Sequence, residues 1–291
     1  MKTLRTIAEL RAELAGRTRI GLVPTMGYLH EGHLSLIRHA RDECGTVVVS
    51  LFVNPKQFSE GEDLEAYPRD EDRDAALAAA AGADILFAPP LDEVYPAGFD
   101  TTVEVAGLTD VMCGAARTGH FAGVTTVVTK LFNMVRPDVA FFGQKDAQQA
   151  LVIRKLVRDL DMPVRVEVCP TVREPDGLAL SSRNAYLSPD ERERALGLSR
   201  ALQAAERVVA DGVVDAQAVL AAALGELDEA GVEPEYLELR SAQDLSSVDR
   251  VNGSTLLAVA ARVGRARLID NTILAEQPVA ANEDLTLGGT S

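Results

Sequence analysis

Short apolar runs alternate with stretches of helical periodicity through the first half of the chain. Residues 20–23 are apolar, and beyond Gly27 the side chains of Leu34, Ile37, Ala40 and Cys44 recur on one helical face. Residues 47–53 form a β-branched run stopped by Asn54 and Pro55. An alanine-rich helix over 74–81 ends at Gly82, and a strand over 85–88 closes at Pro89 and Pro90. After an irregular segment the pattern predicts a helix over 124–135 and a strand over 139–142. A helix over 146–160 follows, with Ala150, Ile153, Val157 and Leu160 on one side, and then a strand over 164–168. Strands alternating with helices imply parallel pairing, because parallel neighbours need crossover connections; the first half is therefore expected to be a doubly wound α/β unit covered on both faces.

The style changes after Pro189. Helical stretches at 190–210 and 216–230 precede strand-like runs at 236–240, 255–263 and 267–274, an order that suits a smaller α+β domain. Pro170, Pro175, Asp176 and Gly177 supply turn chemistry between the two styles, so the domains are expected over 1–173 and 174–291, with a mobile tail over 277–291.

Composition narrows the function. The 291 residues are 47% hydrophobic, yet no apolar run approaches the roughly 20 residues of a membrane span, and residues 1–19 lack a signal peptide's apolar core. Three widely spaced cysteines, Cys44, Cys113 and Cys169, offer neither a disulfide framework nor a C-x-x-C pair. A soluble, cytoplasmic protein without a membrane partner is expected. The formal charge of −15 opposes nucleic-acid binding, while a small anion remains possible in a locally basic cleft.

The candidate chemistry lies where strands give way to helices. Neither G-x-x-x-x-G-K-[ST] nor a strand-linked G-x-G-x-x-G occurs, so a nucleotide needs another cradle. One is the run Met26, Gly27, Tyr28, Leu29, His30, Glu31, Gly32 and His33, which opens a helix where free N–H groups and the macrodipole favour anions. Helix capping and a metal site are alternative readings of the two histidines. Their spacing of three, with a glycine between, departs from the i, i+4 pair of metalloproteases, and no residue is assigned to a metal. A histidine here can donate to phosphate or change protonation near neutral pH. Gly143, Gln144, Lys145, Asp146 and Gln149 form a second cluster, with Lys145 a compact charge suited to phosphate. Asn54, Lys56 and Gln57 end a third strand, and carboxyl-end clusters of this kind surround one cleft in open α/β sheets. Leu180, Ser181, Ser182, Arg183 and Asn184 lie past the domain boundary, where two hydroxyls and a guanidinium suit terminal phosphates. Asp63, Tyr67, Arg69 and Asp74 form a weaker set, and Arg117, His120 and Phe121 are ambiguous.

In this order the clusters resemble the pantothenate synthetase (pantoate–β-alanine ligase) family, a Rossmann-like branch of the H-x-G-H nucleotidyltransferases. The resemblance extends from about residue 20 to 187 and more loosely to 274. Leu180 and Thr118 stand where methionine and proline are usual in that family. The resemblance implies that pantoate is activated by Mg–ATP to a pantoyl-adenylate, which β-alanine converts to pantothenate and AMP, a step in making a coenzyme A precursor. It places ATP against Met26 to His33, Gly143 to Asp146, Val172 and Leu180 to Arg183. His30, His33, Lys145, Ser181, Ser182 and Arg183 become catalytic, with His33 the proton donor, and Gln57 and Gln149 meet the substrates. A homodimer is implied as well. The alternatives are a nucleotidyltransferase acting on a phosphate ester, a tRNA-charging enzyme, a metal hydrolase and a non-catalytic nucleotide binder.

Overall fold

A computed structural model describes residues 1–59 and 61–275; the tail expected to be mobile lies outside these. In chain order the elements are β1 (Lys2–Leu4), α1 (Ile7–Leu14), β2 (Ile20–Thr25), α2 (Glu31–Glu43), β3 (Thr46–Leu51), α3 (Glu71–Ala80), β4 (Ile85–Phe87), α4 (Leu91–Val94), α5 (Met112–Ala116), α6 (His120–Val135), β5 (Val139–Gly143), α7 (Ala147–Asp159), β6 (Arg165–Cys169), α8 (Pro189–Ala210), α9 (Ala216–Glu229), β7 (Pro234–Ser241), β8 (Thr255–Val263) and β9 (Ala266–Leu274). Single 3-10 turns occupy Pro55–Gln57, Gln144–Asp146 and Ser182–Tyr186.

The first six strands form one parallel sheet in the order β1-β4-β3-β2-β5-β6. Its apolar runs are continuous because both faces are covered and successive side chains take opposite faces. Val48, Ile85, Phe87, Ala140 and Phe142 join one cluster with α1, α6 and α7. Val47, Val49, Leu86, Val139 and Phe141 join another with α2 and α3. The order runs outward from β2 to β3 and β4 on one side and to β5 and β6 on the other. Topology therefore opens a crevice at the carboxyl ends of β2 and β5.

The last three strands form an antiparallel sheet, β7-β8-β9. On β8, Leu257, Val259 and Ala261 pack with α8 and α9, while Leu256 and Ala258 join the core of the larger unit. The small sheet is thus apolar on both faces and seated on its neighbour. The boundary expected at 173–174 falls in the connection after β6, where Arg173 bridges to Ala179. Among the described residues, no helix is long and apolar enough to cross a membrane.

Several boundaries move, each for a local reason. Helix α3 begins before residue 74 because Asp70 caps it, accepting from the Arg73 amide at 3.1 Å. Helix α6 starts at His120, after Gly119 in the left-handed region, so His120 and Phe121 lie in its first turn. Leu160 is 52% exposed and lies beyond α7, off the apolar face predicted for it. Both β1 and α1 escape the pattern; α1 is fixed by a capping box between Thr6 and Glu9 within a charged stretch.

Candidate functional site

The crevice at the ends of β2 and β5 is lined by Met26, His30, Gly32, His33, Gly143, Lys145, Asp146, Gln149, Val172, Leu180, Ser181, Ser182 and Arg183. Its cavity is about 180 Å³ and runs into a second chamber of about 260 Å³ beneath the small sheet, where Arg117, His120 and Arg267 lie. Lys145, Asp146, Gln149, Ser181 and Arg183 line both chambers. Three of the clusters read from sequence, within 26–33, 143–149 and 180–183, therefore meet in one cleft, while Asn54, Lys56 and Gln57 lie outside its lining.

The first cluster is shaped by a turn that only certain residues tolerate. Gly27 has φ of 88°, and a Cβ there would come within 2.9 Å of Leu51 and 3.0 Å of the Asp74 carboxylate. Asp74, 1% exposed, accepts from the amides of Tyr28 and Leu29, each at 2.6 Å. Both amides, expected from sequence among the free N–H groups facing an anion, are engaged by this carboxylate. The Leu29 side chain lies in the core, and the Tyr28 ring sits under Arg73. Glu31 is exposed and paired with Arg38.

His30 and His33 stack with ring centroids 4.1 Å apart. Gly32 makes room for this, since a Cβ on it would stand 2.9 Å from His30 Cε1. The backbone N–H of His30 donates to His33 Nδ1 at 3.3 Å, so the neutral ring carries its proton on Nε2. Burial and, after it, the positive Lys145 lower the His30 pKa to about 4; burial, then His30 and Lys145, hold His33 well below its usual value. Lowered in this way, both rings stay uncharged near neutral pH, each with one N–H left to donate, so the switch of protonation expected there is moved to lower pH. His30 Nδ1 and Thr171 Oγ1 are buried without a partner among the described residues.

Lys145 sits in the turn before α7 and makes no ion pair with any described residue, leaving its ammonium for a ligand. The Gln144 side chain instead bonds to Asn271 at 2.9 Å. Arg183 is held by Asp63 through two bonds of 2.9 and 3.1 Å, and the Tyr67 hydroxyl lies 3.5 Å from Ser182 Oγ. Of the weaker set read from sequence, Asp63 and Tyr67 thus fasten the Ser-Ser-Arg segment, Arg69 braces the carbonyls of Leu64 and Tyr67, and Asp74 supports the first cluster instead. Gln57 does not line the crevice. Its carbonyl accepts from His120 Nδ1 at 2.8 Å, its Oε1 from Asn54 at 3.0 Å, and its Nε2 points toward Met26 Sδ at 3.1 Å. Arg117 bonds to His120 Nε2 at 2.9 Å, pairs with Glu62 and donates to the Gln57 carbonyl at 3.3 Å, so Arg117 and His120 brace Gln57 while Phe121 lies in the core. Asp74, Arg173 and Asn271 are the supports that sequence reading missed or undervalued. Asp74 was weighed only within the weaker set, since the charged run from Asp70 to Arg73 before it hides its burial.

A family model described as pantoate-beta-alanine ligase matches residues 2–273. Pantothenate synthetases of Pelotomaculum thermopropionicum and Bradyrhizobium diazoefficiens are each 52% identical to the chain. The first match covers 95% of this chain and 100% of the relative, the second 96% and 100%. The crystal structure of the Thermus thermophilus pantothenate synthetase superposes with a TM-score of 0.90 at 50% identity, over 94% of this chain and 99% of that one. A Francisella tularensis pantoate-beta-alanine ligase complexed with beta-gamma ATP and beta-alanine superposes with a TM-score of 0.79 at 32% identity, over 94% and 97%.

Proposed function

Because the chain belongs to the pantoate–β-alanine ligase family, we propose that it joins pantoate to β-alanine through a pantoyl-adenylate, with ATP as the activating substrate. A pantoate carboxylate oxygen attacks the α-phosphorus, the bond to the bridging oxygen breaks, and pyrophosphate leaves with the electron pair. The β-alanine nitrogen then attacks the acyl carbon, AMP departs, and the nitrogen sheds its protons to give the amide. The observation that carries this reading is Lys145, an ammonium that pairs with no carboxylate among the described residues and stands beside two uncharged histidines in the crevice. Phosphoryl-type transfer needs positioning and charge stabilisation rather than a protein nucleophile, and this set supplies both.

Lys145 and Arg183 would neutralise the triphosphate, with Ser181 and Ser182 donating to its oxygens. His33 would donate from Nε2 as charge gathers on the departing oxygens, and His30 would accompany it. Among the expected ATP contacts, Met26, Gly32, Gly143, Asp146, Val172 and Leu180 would supply walls and close backbone, with Gly27 shaping the turn behind them. Gln149, in the lining, would hold pantoate, and Gln57 would join it only on turning its carboxamide away from Asn54 and Met26; an amide left unpaired by a wrong ligand costs about 1–3 kcal/mol. Magnesium would enter with ATP and offset the negative charge that the incoming carboxylate meets. Residues 1–173 would bind nucleotide and pantoate, and the part from 174 would close over them. Buried free cysteines and the family resemblance support a cytoplasmic homodimer.

Oxygen labelling tests the chemistry. With ¹⁸O in the pantoate carboxylate, mass spectrometry should find one label in AMP for each pantothenate formed. Label appearing only in phosphate or pyrophosphate would rule out the adenylate.

A further inference from the structure

Every nucleotide ligand proposed above from the larger sheet stands on its own strands and helices, yet the turn that carries Lys145 is fastened from the other sheet. Asn271 on β9 is buried, and its Nδ2 donates to the carbonyls of Gln144 at 3.0 Å and Lys145 at 2.8 Å. Its Oδ1 accepts from Gln144 Nε2 at 2.9 Å. Both amide hydrogens and an acceptor site of one carboxamide are thus spent on two consecutive residues. The preceding Asp270 is also buried. It accepts from the Asn271 amide at 2.8 Å and from both terminal nitrogens of Arg173, at 2.6 and 3.0 Å, in the connection between the sheets. Two adjacent residues of one strand therefore hold both the interdomain connection and the lysine turn.

The physical need for such a clamp follows from the lysine itself. Its ammonium rides on a flexible four-carbon stem, so where the charge meets a ligand depends on where the backbone starts it. Misplacement by about 1 Å can cost about 10²-fold in rate. Resting on the reading of Lys145 as a triphosphate ligand, we propose that Asn271 is a positioning residue for adenylation. It fixes the Gln144 and Lys145 carbonyls and thereby the approach of the Lys145 ammonium. The small sheet is then part of the catalytic apparatus and more than a cover.

The test is pantoate-dependent exchange of labelled pyrophosphate into ATP by the full chain, compared among wild type, Asn271→Asp, Lys145→Ala and the double variant. Asn271→Asp keeps the shape and the bond from Gln144 but replaces both donors by an acceptor facing two carbonyls. The exchange kcat should fall by about 10- to 100-fold while the KM for pantoate stays within about threefold. Once the ammonium is gone its placement no longer matters, so the double variant should be within about threefold of Lys145→Ala alone. If Asn271→Asp fails to fold, Asn271→Ala enters the same cycle. An exchange kcat within twofold of wild type, or losses that multiply in the double variant, would overturn the positioning role and leave the ligase reading intact. Wild-type protein without exchange would overturn both.

Discussion

Replacing Asp74 should loosen the H-x-G-H turn from behind. Its carboxylate, 1% exposed, is the acceptor for two consecutive amides, Tyr28 and Leu29, at 2.6 Å each. In Asp74→Ala both donors lose their partner in a site closed to water, and each unsatisfied group costs about 1–3 kcal/mol. Burial raises the Asp74 pKa, so removing the carboxylate also relieves a desolvation cost. A net loss of about 2–4 kcal/mol is expected, a large share of the roughly 5–15 kcal/mol that holds a domain folded. Asp74→Asn keeps one acceptor and sets an NH₂ against the other amide, so its loss should be about half as large. Urea unfolding followed by circular dichroism gives the stability change, and hydrogen exchange over the segment holding Tyr28 and Leu29 shows whether those amides open. Continued protection of both amides in Asp74→Ala, with unfolding as in wild type, would refute the assignment of Asp74 as the turn's support.

Two further outcomes follow from the same geometry. The Arg183–Asp63 pair is about a quarter exposed, at 27% and 26%, and releasing Arg183 from it should cost about 1–2 kcal/mol; Asp63→Asn should therefore bind a non-hydrolysable ATP analogue about 5- to 30-fold more tightly by calorimetry, and unchanged or weaker binding would show that the pair does not compete with the triphosphate. His30 and His120 have folded pKa values lowered to about 4, with His33 also held well below its usual value, so the unfolded chain takes up their protons first as pH falls below about 6.5. Stability should fall between about pH 6.5 and 4, by up to about 1.4 kcal/mol per pH unit for each histidine. The thermal unfolding profile of His33→Asn should be flatter than that of wild type, and parallel profiles would contradict the buried neutral state.

The larger sheet was readable because its strands are buried on both faces, which leaves unbroken runs such as residues 47–53 between turn residues. Strand β1 was not, since three residues with Lys2 and Thr3 at a sheet edge carry no period. Leu160 misled because helical spacing continues past the residue where α7 stops. The catalytic candidates His30, His33, Lys145 and Arg183 were legible as local motifs at element ends. Their supports were not: Asp74 lies 45 residues from Leu29 in sequence and Asn271 lies 126 from Lys145. No local pattern of polarity announces such a contact. Sequence also left the histidines able to titrate near neutrality, and only their burial beside Lys145 keeps them neutral there.

Activation of pantoate before the amine is needed is the central claim, and isotope exchange measures it most directly. Folded protein given Mg–ATP, pantoate and labelled pyrophosphate, with β-alanine left out, should move label into ATP, because reversal of the adenylation step is the route that returns pyrophosphate to the nucleotide. Omitting pantoate should abolish the signal, and adding β-alanine should drain the adenylate to pantothenate and AMP. No pantoate-dependent exchange, in protein that calorimetry shows to bind ATP, would contradict the acyl-adenylate mechanism.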